Sequence, residues 1–277
     1  MQWENLTSLD FAKAVDTCGG VGTIPIGVIE AHASHLPLGT DMFVAHWVAC
    51  RAAEEEPIIV FPQYPYSINH ETAHLPGGVV IKRELAFGLL ENICDEMYRN
   101  GLSKIVLLSG HGGNRYFLPL FVQTLPEKAK PYTVYFANLP YDAEAEAVLD
   151  HDENGHACEA ETSMIRHIDE SLVKMEQVPK RPFTNLKRNQ SVAKPGGYSQ
   201  VDWYAMYPHM YVGDASRATA EKGEVLLQSQ ADGLVKLIRA IKADTVAPAL
   251  VAEFNERQKR PSAPTFWTEI EATDATE

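Results

Sequence analysis

Basic residues are in short supply: 24 Lys and Arg stand against 37 Asp and Glu in 277 residues, a formal net charge of −13. Nucleic acid and anionic membrane would repel such a surface, so neither is expected as a partner. Cysteine is scarce too. Cys18, Cys50, Cys94 and Cys158 are the whole set, and no two have Cys-x-x-Cys spacing, which excludes a zinc ribbon and a thioredoxin-type motif. No apolar run is long enough to span a bilayer. The opening, MQWENLTSLDFAKAVDTCGG, lacks a basic start followed by an apolar stretch and does not read as a signal peptide. The expectation is a cytoplasmic protein with reduced thiols. Internal repeats and low-complexity tracts are missing as well. What is present is ordinary for a globular chain: 45% hydrophobic residues, enough for a substantial core.

Strand and helix patterns alternate. GTIPIGVIE is apolar on both faces, as a strand covered from both sides would be. PIIVFP, SKIVLLSG and YTVYFANLP repeat the pattern; MFVAHWVACRAAEEE, RELAFGLLENICDEMYRNG, NRYFLPLFVQTL and HACEAETSMIRHIDE between and after them read as helices. ATAEKGEVLLQSQADGLVKLIRAIKA is a long late helix. This order predicts an α/β fold: one three-layer domain over residues 1–250, with a mostly parallel sheet flanked by helices. Residues 251–277 read as a polar tail, with Phe266 and Trp267 as its candidate anchors. In such sheets ligands bind beyond the carboxyl ends of the strands. Two long loops, 63–80 and 178–216, are of the kind that borders a site or an interface.

Three polar clusters stand where that rim should be. GVIEAHASHLPLGTD puts Glu30 and His32 at i and i+2, on one face of an extended segment, with His35 and Asp41 following. Pro37 and Gly39 suit a turn that folds Asp41 back onto the pair. A carboxylate and an imidazole so placed can ligate a divalent ion; the competing reading is a surface loop with an N-cap at Thr40 or Asp41. SGHGGN displays His111 after a strand, with Asn114 as an N-cap; the competing readings are an anion-cradling loop and a structural turn. In HACEAETSMIRHI, Glu161 shares a helical face with Cys158, Met164, Ile165 and Ile168, whereas Glu159 sides with Thr162, Ser163 and Arg166 on a face expected to be solvated. An acid on an apolar stripe should be protonated, paired or metal-bound. The competing reading for Glu161 is an ion pair, and for His156, just before the helix, an exposed imidazole. His74, in the SINHETAHLPGG loop, can border a pocket.

With these residues in view, the sequence resembles the creatininase family of metal-dependent amidohydrolases. EAHASHLPLGTD, SGHGGN, HACEAETSM, GDASRATAEKG and HLPGGVV carry the resemblance, in order, from about Gly22 to Ala243. It implies an α/β fold with a site at the carboxyl rim, holding one or two divalent ions of zinc, manganese or iron. It implies Glu30, His32, Asp41, His111 and Glu161 as ligands, Asp41 as a bridge between two ions, His156 as the catalytic histidine and a homohexamer as the common assembly. His35 is placed to orient a ligand from behind. Two positions depart from creatininase proper: Gly112 and Gly113 stand for a Tyr-Glu pair, and Asp152 for a tryptophan. A metal-site carboxylate and an aromatic wall are thereby lost, which brings the chain closer to the deformylase and peptidase branches. The expected function is hydrolysis of a non-peptide C–N bond, cyclic amide or formamide, in a small molecule. A peptidase acting on a small modified peptide and a metal-retaining scaffold without turnover are the alternatives.

Overall fold

Strands that carry hydrophobic residues on both faces need cover on both sides, and the chain supplies it. The computed structural model describes residues 1–151 and 153–261. The order begins α1 (Ser8–Thr17), β1 (Val21–Ile26), α2 (Thr40–Glu55), β2 (Ile59–Val60), α3 (Arg83–Arg99), β3 (Lys104–Ser109), α4 (Asn114–Thr124) and β4 (Thr133–Ala137). It continues with α5 (Ala143–Glu146), β5 (Asn154–His156), α6 (Glu159–Asp169), α7 (Gln190–Ala193), α8 (Asp202–Met206), β6 (Val212–Gly213), α9 (Ala220–Ala243) and α10 (Val246–Arg257).

The four main strands form one parallel sheet in the order β2-β1-β3-β4. Alternation along β3 shows how the layers are built. Val106 and Leu108 face α2, α6 and α9, packing with Val48, Ala49, Ile165, Leu226 and Ile238. Ile105 and Leu107 face α1, α3 and α4, packing with Ala14, Leu90, Met97, Phe117 and Phe121. Burying each such side chain contributes roughly 1.5–3 kcal/mol. The chain is thus the expected α/β sandwich, with β1 and β3 pointing their carboxyl ends the same way.

Two boundaries differ from the sequence reading. His156 lies not at the start of a helix but at the end of β5, which pairs antiparallel with β6 in a separate two-stranded sheet. Three residues are too few to show a strand period, so the pair was not legible. The tail expected from residue 251 begins inside α10, which runs to Arg257; Phe266 and Trp267 lie outside the described residues, as does Asp152. Among the described residues no helix is long and apolar enough to cross a membrane.

Two glycines set the position of α2. A Cβ at Gly27 would run into the backbone of Met42, and one at Gly110 into the Asp41 carbonyl. Their absence lets the first turn of α2 lie directly on the carboxyl rim between β1 and β3. Asp41 is carried there with it.

Candidate metal centre

Glu30 and His32 follow β1, and the chain then turns sharply: Ala33 is left-handed at φ 53°. Ala157 is left-handed at the same angle, immediately after His156. A side chain costs of order 1–3 kcal/mol in that region, and such positions concentrate where a site must be held in one geometry. Pro37 and Thr40 close the expected turn, with the Thr40 hydroxyl donating to the Pro37 carbonyl at 2.8 Å. The helix N-cap is Gly39, so the Asp41 side chain does not cap and instead faces the site.

Glu30 is the centre of the group. Its Oε1 lies 3.2 Å from His111 Nδ1, 3.9 Å from His156 Nδ1 and 4.0 Å from His32 Nε2. Asp41 reaches both other imidazoles, Oδ1 at 2.9 Å from His32 Nε2 and Oδ2 at 3.1 Å from His111 Nδ1. Glu161 Oε2 is 3.9 Å from His32 Nε2 and accepts the Ala157 amide at 2.5 Å. His32 and His156 stack at 4.2 Å between centroids. The donors fall into three overlapping triads: Glu30, His32 and His156; Glu30, Glu71 and His111; His32, Asp41 and Glu161.

Glu30, His32, Asp41, His111 and His156 are all buried. Burial opposes charge on His32, yet Asp41, Glu161 and Glu30 push its imidazolium up to about 9. Burial likewise opposes charge on His111, which Glu30, Asp41 and Glu71 hold well above its ordinary value. Asp41 is kept well below the usual carboxylate range, against burial, by His32 and His111. Despite the short approaches, Glu30 Oε2, Asp41 Oδ2 and His111 Nε2 make no hydrogen bond. Buried polar atoms in that state are costly unless something else pairs with them. Two ligands each about 2.1 Å from one ion lie roughly 3 Å apart. That matches the spacings of Asp41 to His32 and His111 and of Glu30 to His111, so the donor set fits a divalent ion.

Not every expected residue joins. His35 bonds no ligand candidate: its Nε2 pairs with the Thr162 hydroxyl at 2.9 Å, docking the 30–41 segment on α6. Burial, with His32 nearby, lowers its pKa to about 4, so it is neutral. His74 is exposed, with Nε2 on the Pro208 carbonyl at 2.8 Å and its ring against Tyr204. Asn114 is the first residue of α4 rather than its N-cap, which is Gly113. Its side chain donates to the Ile26 carbonyl at 3.2 Å and accepts from Ser67 at 2.5 Å, tying the end of β1 to the 63–80 loop.

The face assignment on α6 is corrected. Glu161 does project into the site, but Glu159 is fully buried, not solvated. It accepts from the amides of Asp150 and His151 at 3.0 and 3.2 Å, pairs with His151 Nδ1 at 2.8 Å and forms an ion pair with Lys222. Helix α9 covers this side, with the Ser163 hydroxyl accepting the Thr219 amide at 3.2 Å. A helical wheel shows which residues share a face, not what packs on it. Two residues were missed: Glu71, whose Oε1 is 3.4 Å from His111 Nε2, and Trp203, edge-on to His156 at 6.0 Å. The first sits between two histidines in a long loop; the second lies in the 178–216 loop, whose expected role was only to border a site or an interface.

The fold and the donors define an α/β protein with a candidate metal-binding site at the carboxyl rim of its sheet. The family model described as "Creatininase: Creatinine amidohydrolase" matches residues 4–238, and the chain belongs to the creatininase family. It is 27% identical over 230 residues to the mycofactocin precursor peptide peptidase of Mycolicibacterium smegmatis, covering 80% of this chain and 85% of that one. It is 28% identical over 118 residues to the creatinine amidohydrolase of Pseudomonas putida, covering 41% and 45%. The solved structure of a manganese form of creatininase shares the fold, with a TM-score of 0.72 at 23% identity, over 88% of this chain and 99% of that one.

Proposed function

We propose that this chain is a metal-dependent amidohydrolase that opens a non-peptide C–N bond, a cyclic amide or a formamide, in a small molecule. The observation that carries this is the convergence of Glu30, His32, Asp41, His111 and Glu161 with three buried polar atoms left unpaired. These five residues would hold one or two divalent ions of zinc, manganese or iron; Asp41 approaches His32 with one oxygen and His111 with the other. Such an ion supplies a Lewis acid for the carbonyl and brings the pKa of water near neutrality.

The protein's own part is positioning and proton transfer. His156 Nε2 pairs with the Ala31 carbonyl at 3.0 Å, which holds the proton on that nitrogen. Its Nδ1 faces Glu30 and is left to take a proton from the attacking side and give it to the leaving nitrogen. Trp203 walls the far side of His156. A cavity of about 130 Å³, lined by Val48, Tyr141, Met164 and Gln230, opens on His111 and Glu161. That is well below the roughly 300 Å³ at which drug-sized pockets begin, which favours a small substrate. The second reading, a peptidase of a small modified peptide, draws support from the mycobacterial relative and from the Trp203–Tyr207 segment as a groove wall.

The free thiols of Cys18, Cys50, Cys94 and Cys158 fit a cytoplasmic setting. Leu85, Leu89, Tyr116 and Leu120, exposed on α3 and α4, fit a homo-oligomer such as the hexamer implied by the resemblance. The function is tested with a panel of cyclic amides, formamides and short peptides, before and after chelation. Hydrolysis of a formamide or cyclic amide that stops on chelation and returns with zinc, manganese or iron is the expected result. Turnover of peptides alone would select the second reading.

A further inference from the structure

Glu71 lies in the 63–80 loop, far in sequence from the motifs that supply the other donors. The loop is pinned to the rim: Asn69 donates to the Ile29 carbonyl at 2.9 Å, and the Val79 amide to the same carbonyl at 2.9 Å. A short 3-10 turn, His70–Thr72, then presents Glu71 to the site. Its Oε1 stands 3.4 Å from His111 Nε2, and it forms a metal-sized triad with Glu30 and His111. Glu30 Oε2 and His111 Nε2 are the buried unpaired atoms of this triad.

Gly113 makes room for this arrangement. A Cβ there would overlap His111 Nε2 and come within 3.2 Å of Glu71 Oε1. A side chain at position 113 and the carboxylate of Glu71 therefore compete for one space beside the imidazole. The glycine that takes a carboxylate away from the SGHGGN turn is what lets one arrive from the 63–80 loop.

We infer that Glu71 is a metal ligand of this chain, sharing one ion with Glu30 and His111. The site then has six protein donors, not five. Glu30, Glu71 and His111 form one group of donors, and His32, Asp41 and Glu161 another.

The inference rests on the metal-dependent reading above, and the test separates the two. Metal-free wild type and Glu71→Gln are titrated with Zn²⁺, and bound metal is counted after gel filtration. Circular dichroism and thermal unfolding of the metal-free proteins check that the variant is folded. The expected result is two ions in wild type and one in Glu71→Gln, or a weakening of one binding event by more than about 100-fold. Loss of an outer partner of a ligating histidine costs only roughly 10–100-fold, so that range or less overturns the ligand role. Reloading with Co²⁺ gives a second reading: removing a ligand changes the visible band pattern, and an unchanged spectrum counts against the inference. Wild type that binds no ion at all would overturn the metal-dependent reading itself, a different outcome from two ions in both proteins.

Discussion

Loading the metal-free protein with a divalent ion should expel protons, and their number follows from the geometry. His32 sits 2.9 Å from Asp41, and its pKa stands near 9. At pH 7.5 a group with that pKa is about 97% protonated. His111, held well above its ordinary value by Glu30, Asp41 and Glu71, is charged as well. An imidazole ligates only when neutral, so both protons must leave. Close to two protons per fully loaded chain should therefore be released at pH 7.5. The affinity of each ion position should rise about tenfold per pH unit until the ring beside it is neutral, near pH 9 for His32. The metal-free protein follows the opposite sign. His32 has a folded pKa above its reference value of 6.5, so its stabilisation is complete below that value and is lost as pH rises through about 9. Zn²⁺ titration calorimetry in two buffers of different ionisation enthalpy counts the protons. Asp41→Asn should lower the count along with the affinity. Fewer than one proton released by wild type would mean that the carboxylates do not charge the rings, and would refute the reasoning.

His156→Ala should cut turnover by roughly 10²–10⁴-fold, as expected for a group that moves a proton, with metal content near wild type by elemental analysis. Loss of metal in that variant would make His156 a ligand instead. Glu159→Gln should destabilise the fold by about 3 kcal/mol in urea unfolding, because it leaves Lys222 short of its buried partner, while metal stoichiometry is kept. Gly110→Ala forces a methyl against the Asp41 carbonyl. It should cost about 2 kcal/mol or more and loosen metal binding through the displaced first turn of α2, read by thermal unfolding with and without Zn²⁺.

The parallel sheet was legible because its strands are apolar on both faces, and β1 and β3 end where the polar clusters begin. The approach of Asp41 to His32 was legible for a local reason: Pro37, Gly39 and Thr40 form a turn within nine residues. Glu71 was not, since nothing in the spacing of a long loop shows that Asn69 and Val79 both fasten to Ile29. Glu159 was misplaced because the partner that buries it, Lys222, is contributed by α9, 63 residues further along. The GDASRATAEKG stretch, recognisable in the sequence without a stated role, holds this ion pair. His35 was drawn into the site by proximity in sequence to His32, whereas its hydrogen bond runs to Thr162 and makes it a brace between the 30–41 segment and α6.

The most direct measurement is anomalous diffraction at the metal absorption edge from crystals of the protein grown with Zn²⁺ or Mn²⁺. The account predicts two peaks about 3.5 Å apart, with Asp41 between them, Glu30 and His111 on one and His32 and Glu161 on the other. Anomalous density elsewhere, or none within bonding distance of Asp41, would contradict it.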